Sequence, residues 1–190
     1  MNWLSFIRYL NEAGFEPRFP AGFDPRFPGE VPEELRSSAA EDGMFHWQIQ
    51  PSSNNPWIEG LVKKLPQSWP HPFQSLIDRY RFCNIEVGPL MLFANTGHDL
   101  FYELSSRVFA DKGLFPTLHG NGFLQFGLPH EGNYDPVCFD MKRRTRADAP
   151  IVQLDHEEIL QWGRINVVQE IAPSFAQFMQ CAVAERFPAS

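Results

Sequence analysis

The sequence predicts an α+β domain, with a central, largely antiparallel sheet flanked by helices and a C-terminal helix packed on the sheet. Three observations carry this. Stripes at the helical i, i+3, i+4, i+7 spacing and short alternating apolar runs occur in the same chain. The 17 Pro among 190 residues divide it into short elements, which argues against a bundle of long helices. In the second half, short β-like runs are separated by turn residues, the pattern of strands joined to antiparallel neighbours.

Trp3, Ile7 and Leu10 recur at helical spacing, and Gly14 is placed to end that helix. A near-duplication follows, Phe15-Glu16-Pro17-Arg18-Phe19-Pro20-Ala21-Gly22 and then Phe23-Asp24-Pro25-Arg26-Phe27-Pro28-Gly29-Glu30. Two copies are too few for a solenoid. The segment reads as an extended arm whose Phe side chains tuck against the domain, with a docking arm for a partner as the alternative. Residues 31 to 55 read as further loop, so the chain divides into a helix and Phe/Pro-rich arm over 1–56 and a main domain over 57–190, together one compact unit. Pro56 suits the first position of a helix carrying Ile58, Leu61 and Leu65, which Leu65-Pro66 interrupts. Pro72 opens another, with Phe73, Leu76, Ile77 and Tyr80 on one face. Cys83, Ile85 and Val87 alternate, and with Leu90 to Phe93 they predict strands on both sides of a Gly88-Pro89 turn. Leu100, Phe101, Leu104 and Val108 suggest a helix before Gly113. Strands are expected over Phe123 to Phe126, Pro136 to Met141 and Ile151 to Leu154, the last two joined by a protruding basic hairpin loop from Lys142 to Pro150. Ser174 with Gln177 three residues on is a capping-box pattern, and Phe175, Phe178, Met179 and Ala182 line one face of the C-terminal helix.

Composition fits a folded domain. A chain of this length buries roughly 70% of its unfolded surface. With 43% apolar and 21% charged residues it is not of the disordered class, and its 18 Phe each bring a large area to bury. Cys83, Cys138 and Cys181 form an odd set without close spacing and read as reduced core thiols. The first ten residues carry no basic segment ahead of an apolar run, and no stretch reaches the roughly 18 apolar residues of a membrane span. A cytoplasmic protein is expected. Its formal net charge of −7 disfavours nucleic acid and favours a cationic partner.

No phosphate loop, dinucleotide-binding glycine fingerprint, nucleophile elbow or His-Glu-x-x-His helix occurs in the sequence; Gly120 and Gly122 lack the third glycine of a fingerprint. The expectation is a non-enzymatic chain without cofactor or metal. Two groups compete with it: His130-Glu131 with Asp135, and Asp155-His156-Glu157-Glu158. Converging, they could ligate a metal and make a metal-dependent hydrolase. The alternative is turn chemistry. Gly132 to Pro136 is turn-forming by composition, and Asp155 with Glu157 and Glu158 places negative charge where a short helix would start after a strand. Neither group has a recognised ligand spacing. Lys142-Arg143-Arg144 with Arg146 neutralises too few phosphates to overcome the acidic chain, so a solvated tip or a contact with an acidic protein patch is expected there. Trp47, Trp57, Trp69 and Trp162 are either core residues or interface anchors.

Three runs resemble the SUKH superfamily: Gly132-Asn133-Tyr134-Asp135-Pro136-Val137-Cys138-Phe139-Asp140, then Pro150-Ile151-Val152-Gln153-Leu154-Asp155-His156-Glu157-Glu158-Ile159-Leu160, and Ala172-Pro173-Ser174-Phe175-Ala176-Gln177-Phe178. Upstream, Leu65-Pro66-Gln67-Ser68-Trp69 with Phe73 is similar to that family's Leu-Pro-x-Ser-aromatic helix, with Pro70 and Pro72 as departures. The resemblance spans residues 57 to 185 and is concentrated in 130 to 180. It implies an α+β fold and a protein-binding role. Many bacterial members are immunity proteins that neutralise polymorphic toxins, often nucleases, while eukaryotic relatives are regulatory binding proteins. For this chain it implies an immunity protein for a cognate toxin, with a housekeeping regulatory module as the alternative. The carboxylates expected to meet such a partner are Glu131, Asp135, Asp140, Asp155, Glu157 and Glu158.

Overall fold

Proline placement and apolar spacing decide where the first helices of the main domain begin and what they bury. The computed structural model describes residues 19–20, 32–39, 44–52, 56–65, 67–96, 103–110, 112–130 and 133–184. The helix expected at Trp3 to Leu10, Gly14 and most of the Phe-Pro-Arg repeat lie outside them. Pro56 is the first residue of α1, Pro56–Lys64, and Pro72 lies in the first turn of α2, His71–Arg79. An N–H missing there breaks no intrahelical bond. Ile58 and Leu61 are the buried side of α1, and Phe73, Leu76 and Ile77 that of α2. Four more helices follow, three of seven residues and the last of nine: α3 (Leu104–Ala110), α4 (Leu114–Gly120), α5 (His156–Trp162) and α6 (Phe175–Val183).

Ahead of α1, residues read as loop contain strands. β1 (Phe19–Pro20), β2 (Arg36–Ala39) and β3 (Met44–Trp47) form a small antiparallel sheet in the order β1-β3-β2. β4 (Gln50–Pro51) pairs with β5 (Tyr80–Arg81), directly after α2. Turn-forming Ser, Pro and Asn dominate the composition on either side of the Met-Phe-His-Trp run, although aromatic residues favour strands. Leu35 and Trp47 pack on Cys83, joining this region to the main domain.

The principal sheet holds β6 (Ile85–Val87), β7 (Leu90–Leu92), β8 (Phe123–Pro129), β9 (Val137–Asp140), β10 (Ile151–Leu154) and β11 (Val167–Ala172). Its spatial order follows the chain, every neighbouring pair antiparallel, with α3 and α4 inserted between β7 and β8, and α5 between β10 and β11. The fold is therefore α+β, as the sequence predicts. Side-chain alternation gives the sheet two buried faces. Val137, Phe139 and Ile151 face the core shared with α1, α2, α3 and α6. Cys138, Val152 and Leu154 face a second cluster closed by Leu114 and Leu118 of α4 and Ile159 of α5.

Phe73 stands at the centre of the larger core. Its ring lies 5.2 Å from Phe126, 5.4 Å from Phe139, 5.3 Å from Phe175 and 5.8 Å from Trp69. Phe126 and Phe139 stack across the β8–β9 pair at 4.2 Å and 20°. Beside them, Gly127 is required by close approach: a Cβ there would come within 2.5 Å of the Met91 carbonyl oxygen on β7.

Beyond the strands ahead of α1 and β5, two further elements escape the sequence reading. β11 does not alternate in burial, since its first four residues are all exposed. α4 carries Pro116 in its first turn, where a proline fits a helix but reads as a breaker. The basic connection after β9 is also better anchored than a protruding tip. Met141–Arg143 form a 3₁₀ turn, Thr145 and Asp148 close another, and buried Asp148 accepts bonds from the Ala149 and Ala176 N–H groups, the latter in the first turn of α6. Among the described residues, no helix is long and apolar enough to cross a membrane.

Two outcomes test this packing. Phe73→Ala removes the ring that the other four surround and lowers unfolding free energy by about 3–5 kcal/mol in urea denaturation; a loss under about 1.5 kcal/mol would place the structural centre elsewhere. Of the three thiols, all free, Cys83 and Cys138 are buried and Cys181 is half-buried. Burial, with Glu103 and Glu34 nearby, pushes the Cys83 thiol far up, and burial does the same to Cys138. A thiol reagent therefore titrates Cys181 first, and reaches the other two at the rate of unfolding. Fast labelling of all three in the native protein would contradict the buried placement.

Candidate functional site

Where β9 begins and β10 ends, three chain segments meet on one carboxylate. Asp135 is 5% exposed. Its Oδ2 accepts hydrogen bonds from Asn133 Nδ2 at 2.7 Å and Gln153 Nε2 at 2.8 Å. Its Oδ1 accepts from the His156 backbone N–H at 3.0 Å and lies 2.7 Å from His156 Nδ1, the ring nitrogen that donates to an ionised carboxylate. Gln153 in turn accepts from Gln169 Nε2 at 2.8 Å. A polar ladder thus crosses the loop before β9, β10 and β11. Burial alone would raise the Asp135 carboxyl; the side-chain and backbone bonds from His156 and the bond from Gln153 outweigh it and hold the group below its ordinary value.

Asp155 stands at the N-terminus of α5 and caps it, its Oδ1 accepting from the Glu157 N–H at 2.9 Å and the Glu158 N–H at 3.1 Å. The turn-and-cap reading of this segment therefore has its geometry. So does the convergence that a metal centre needs, since ligand atoms of Asp135, Asp155 and His156 all lie within 4.8 Å of one another. The donor set fits a cation poorly, because both oxygens of Asp135 already accept two bonds each and Asp155 Oδ1 serves two backbone groups. Seating a metal would break the cap and the ladder. Of the other residues in the hydrolase reading, His130 pairs with Glu86 of β6 at 3.3 Å, and Glu131 lies outside the described residues.

Of the six acidic residues expected to face a partner, the five that are described fall into different environments. Asp135 is closed off as above. Asp140 is 7% exposed and accepts from the Lys142 N–H at 3.1 Å and Arg143 Nε at 2.7 Å. Arg143 continues to Glu170 of β11 at 2.7 Å, and Arg144 donates to the Ser68 carbonyl. Both Asp135 and Asp140 are thus occupied within the fold. Glu157 is exposed, while Asp155 and Glu158 are partly so.

Near these acids in the chain stand exposed apolar side chains that the sequence reading reached only at Trp162. Tyr134 is 67% exposed, Leu160 52%, Trp162 63%, Val167 47% and Val168 51%. Trp69, in contrast, is core at 1%. Trp57, 54% exposed, stands on a separate cleft of about 410 Å³ between α1 and α3, with Leu61 and Phe109. The signal for the first surface was the continuous run Leu160 to Val168, whose Leu, Trp and two Val flank a turn instead of alternating with polar residues. No protein-family model and no curated protein matches the chain.

The Asp135 geometry has a testable pH dependence. A carboxyl whose value is depressed by folding contributes stability that is complete above its unfolded value, near 4, and disappears as pH falls through the folded value. Asp135→Asn keeps the volume but sets an amide against four donors, so near neutral pH it loses about 2–3 kcal/mol. In urea titrations the gap between the two proteins narrows as pH drops below about 4. A gap that stayed constant to pH values well below that would show that ionisation of Asp135 is not what the ladder uses.

Proposed function

We propose that this chain is a non-enzymatic binding domain of the SUKH type, an immunity protein that neutralises a cognate bacterial toxin by stoichiometric occlusion. The observation that carries this reading is the closed bonding of the Asp135–Asp155–His156 cluster. Side chains with the chemistry of an active site hold strand and helix ends together, and the exposed chemistry nearby is that of a recognition surface. The three runs that resemble the SUKH superfamily coincide with these structural roles: the Asp135 turn leading into β9, β10 with its capped helix, and the Ser174 cap of α6.

The charge balance supports a partner of opposite sign. A nuclease toxin presents cationic groups to phosphates, and a chain of formal charge −7 is steered to such a surface and can cover it without any chemical step. We place this action in the cytoplasm, where Cys83 and Cys138 stay reduced.

The test is capture by the tagged protein from a lysate of its own organism at low and high salt, followed by co-expression with whatever is captured. The expected result is a single basic protein in equimolar amount, lost at high salt, which stops growth when expressed alone and is silenced by this chain. Capture of a non-toxic partner would move the reading to a housekeeping regulatory module. Capture of nothing in either salt would overturn the immunity role.

A further inference from the structure

We propose that the outer surface of residues 155–170, together with Tyr134, is the docking face, and that its occupant is a cationic, amphipathic segment of another protein. This rests on the binding reading above and names the site and the partner chemistry that reading leaves open. The segment is ordered as a compact corner. α5 is seven residues, about 10 Å long. Gly163, at a φ of 62°, ends it in the left-handed conformation, and the chain doubles back so that the Asn166 carbonyl accepts from the Asp155 N–H at 3.0 Å. Val167 then pairs with Leu154 at the end of β10. On the other side of β10, Asp135 bonds to the His156 N–H and so brings its neighbour Tyr134 alongside the start of α5. Tyr134 and the Val167–Val168 pair therefore flank the acidic first turn of α5, with Leu160 and Trp162 within one helix length of it.

Exposure, charge and symmetry together choose the occupant. Five large apolar side chains, each close to half exposed or more, lie in this segment and in the turn that Tyr134 belongs to. Aromatic anchors of this kind are the usual centre of a binding surface. Glu157 and Glu158 give the segment its sign, since Asp155 caps α5 and Glu170 is paired with Arg143, against Arg164 as its one Lys or Arg. A second copy fits badly, since it would bring a surface of the same negative sign against this one. Edge-to-edge pairing of β11 is also obstructed, because its register against β10 shifts twice, between Ile151 and Val152 and between Gln153 and Leu154. A basic segment with apolar side chains meets both requirements: its cations reach Glu157 and Glu158 while its apolar groups cover Trp162.

The test uses the whole chain, labelled for amide NMR, and two defined probes: a short synthetic peptide alternating arginine with leucine, and its glutamate–leucine counterpart. The arginine peptide is expected to shift amides of 155–170 and Tyr134 and to bind less tightly as salt rises, while the glutamate peptide leaves them unmoved. Trp162→Ala, at an exposed position, and the double variant Glu157→Gln/Glu158→Gln, which keeps side-chain volume, each weaken binding by about tenfold or more. Shifts centred on the α1–α3 cleft, equal binding of both peptides, affinities unchanged in the variants, or no binding would each overturn the assignment. So would a wild-type dimer that Trp162→Ala converts to monomer, which would give the face to a second copy. The two readings fail separately. A basic toxin captured equally by wild type and Trp162→Ala removes this face and keeps the immunity role. Peptide shifts mapping here with no toxin captured keep the face and remove that role.

Discussion

The stacking of Phe126 on Phe139 across β8 and β9, clasped by Phe73 and Phe175, is the contact on which the rest of the architecture depends. It joins four elements whose positions in the chain are far apart: α2, the two central strands and α6. Large aromatic surfaces buried edge-to-face and offset contribute through area and through ring geometry. A short strand or a nine-residue helix would be marginal alone. With the rings in place, β8 and β9 become a platform with two usable faces, and the order of the remaining strands follows from short antiparallel connections.

A second constraint acts at the end of that platform, and it is polar. Burying Asp135 as an ion would be costly, and the four hydrogen bonds it accepts offset that cost only with the β9 loop, β10 and α5 in one arrangement. Apolar packing tolerates small slips between strands; a carboxylate shared by Asn133, Gln153 and His156 does not. The aromatic cluster therefore supplies much of the stabilisation, and the ladder from Asp135 through Gln153 to Gln169 fixes the register of the sheet's far side.

Sequence reasoning reached what local chemistry determines. Ser174 accepts from the Gln177 N–H as a capping residue should, Asp155 caps the helix that Glu157 and Glu158 begin, and the Phe73, Leu76 and Ile77 stripe is buried. It missed what depends on distant partners. Nothing adjacent to Asp135 indicates that Gln153 and His156, some twenty residues on, complete its bonding, so the residue could be read as a turn former, a ligand or a contact for a partner. Gln153 and Gln169 were legible only as polar positions within apolar runs. β11 was hidden because its Val-Val-Gln-Glu sequence faces solvent at an edge, where neither periodicity nor a buried run marks a strand. The two strands within 36–47 were hidden by turn-forming neighbours, whose composition outweighs a four-residue aromatic run in any local reading.

The same physics separates the acids that build the fold from those that stay exposed. A carboxylate that has traded its hydration for several internal donors cannot also meet a partner's cation without giving those donors up. Asp135 and Asp140 are in that position. Glu157 is not, and Glu158, partly exposed on the same helix, carries its charge beside it. Their location follows from the ladder, because Asp135 fixes where α5 starts, and the Asp155 cap fixes how its first turn is presented. The short helix then has Ile159 as its buried anchor, which leaves Leu160 and Trp162 to solvent on either side. An exposed apolar surface at the edge of the sheet is thus positioned by the same buried carboxylate whose neighbours resemble a catalytic cluster. A substitution at Asp135 would disturb the proposed docking face by moving this helix, whereas one at Trp162 would remove an anchor from it, and the two differ in whether thermal stability falls as well.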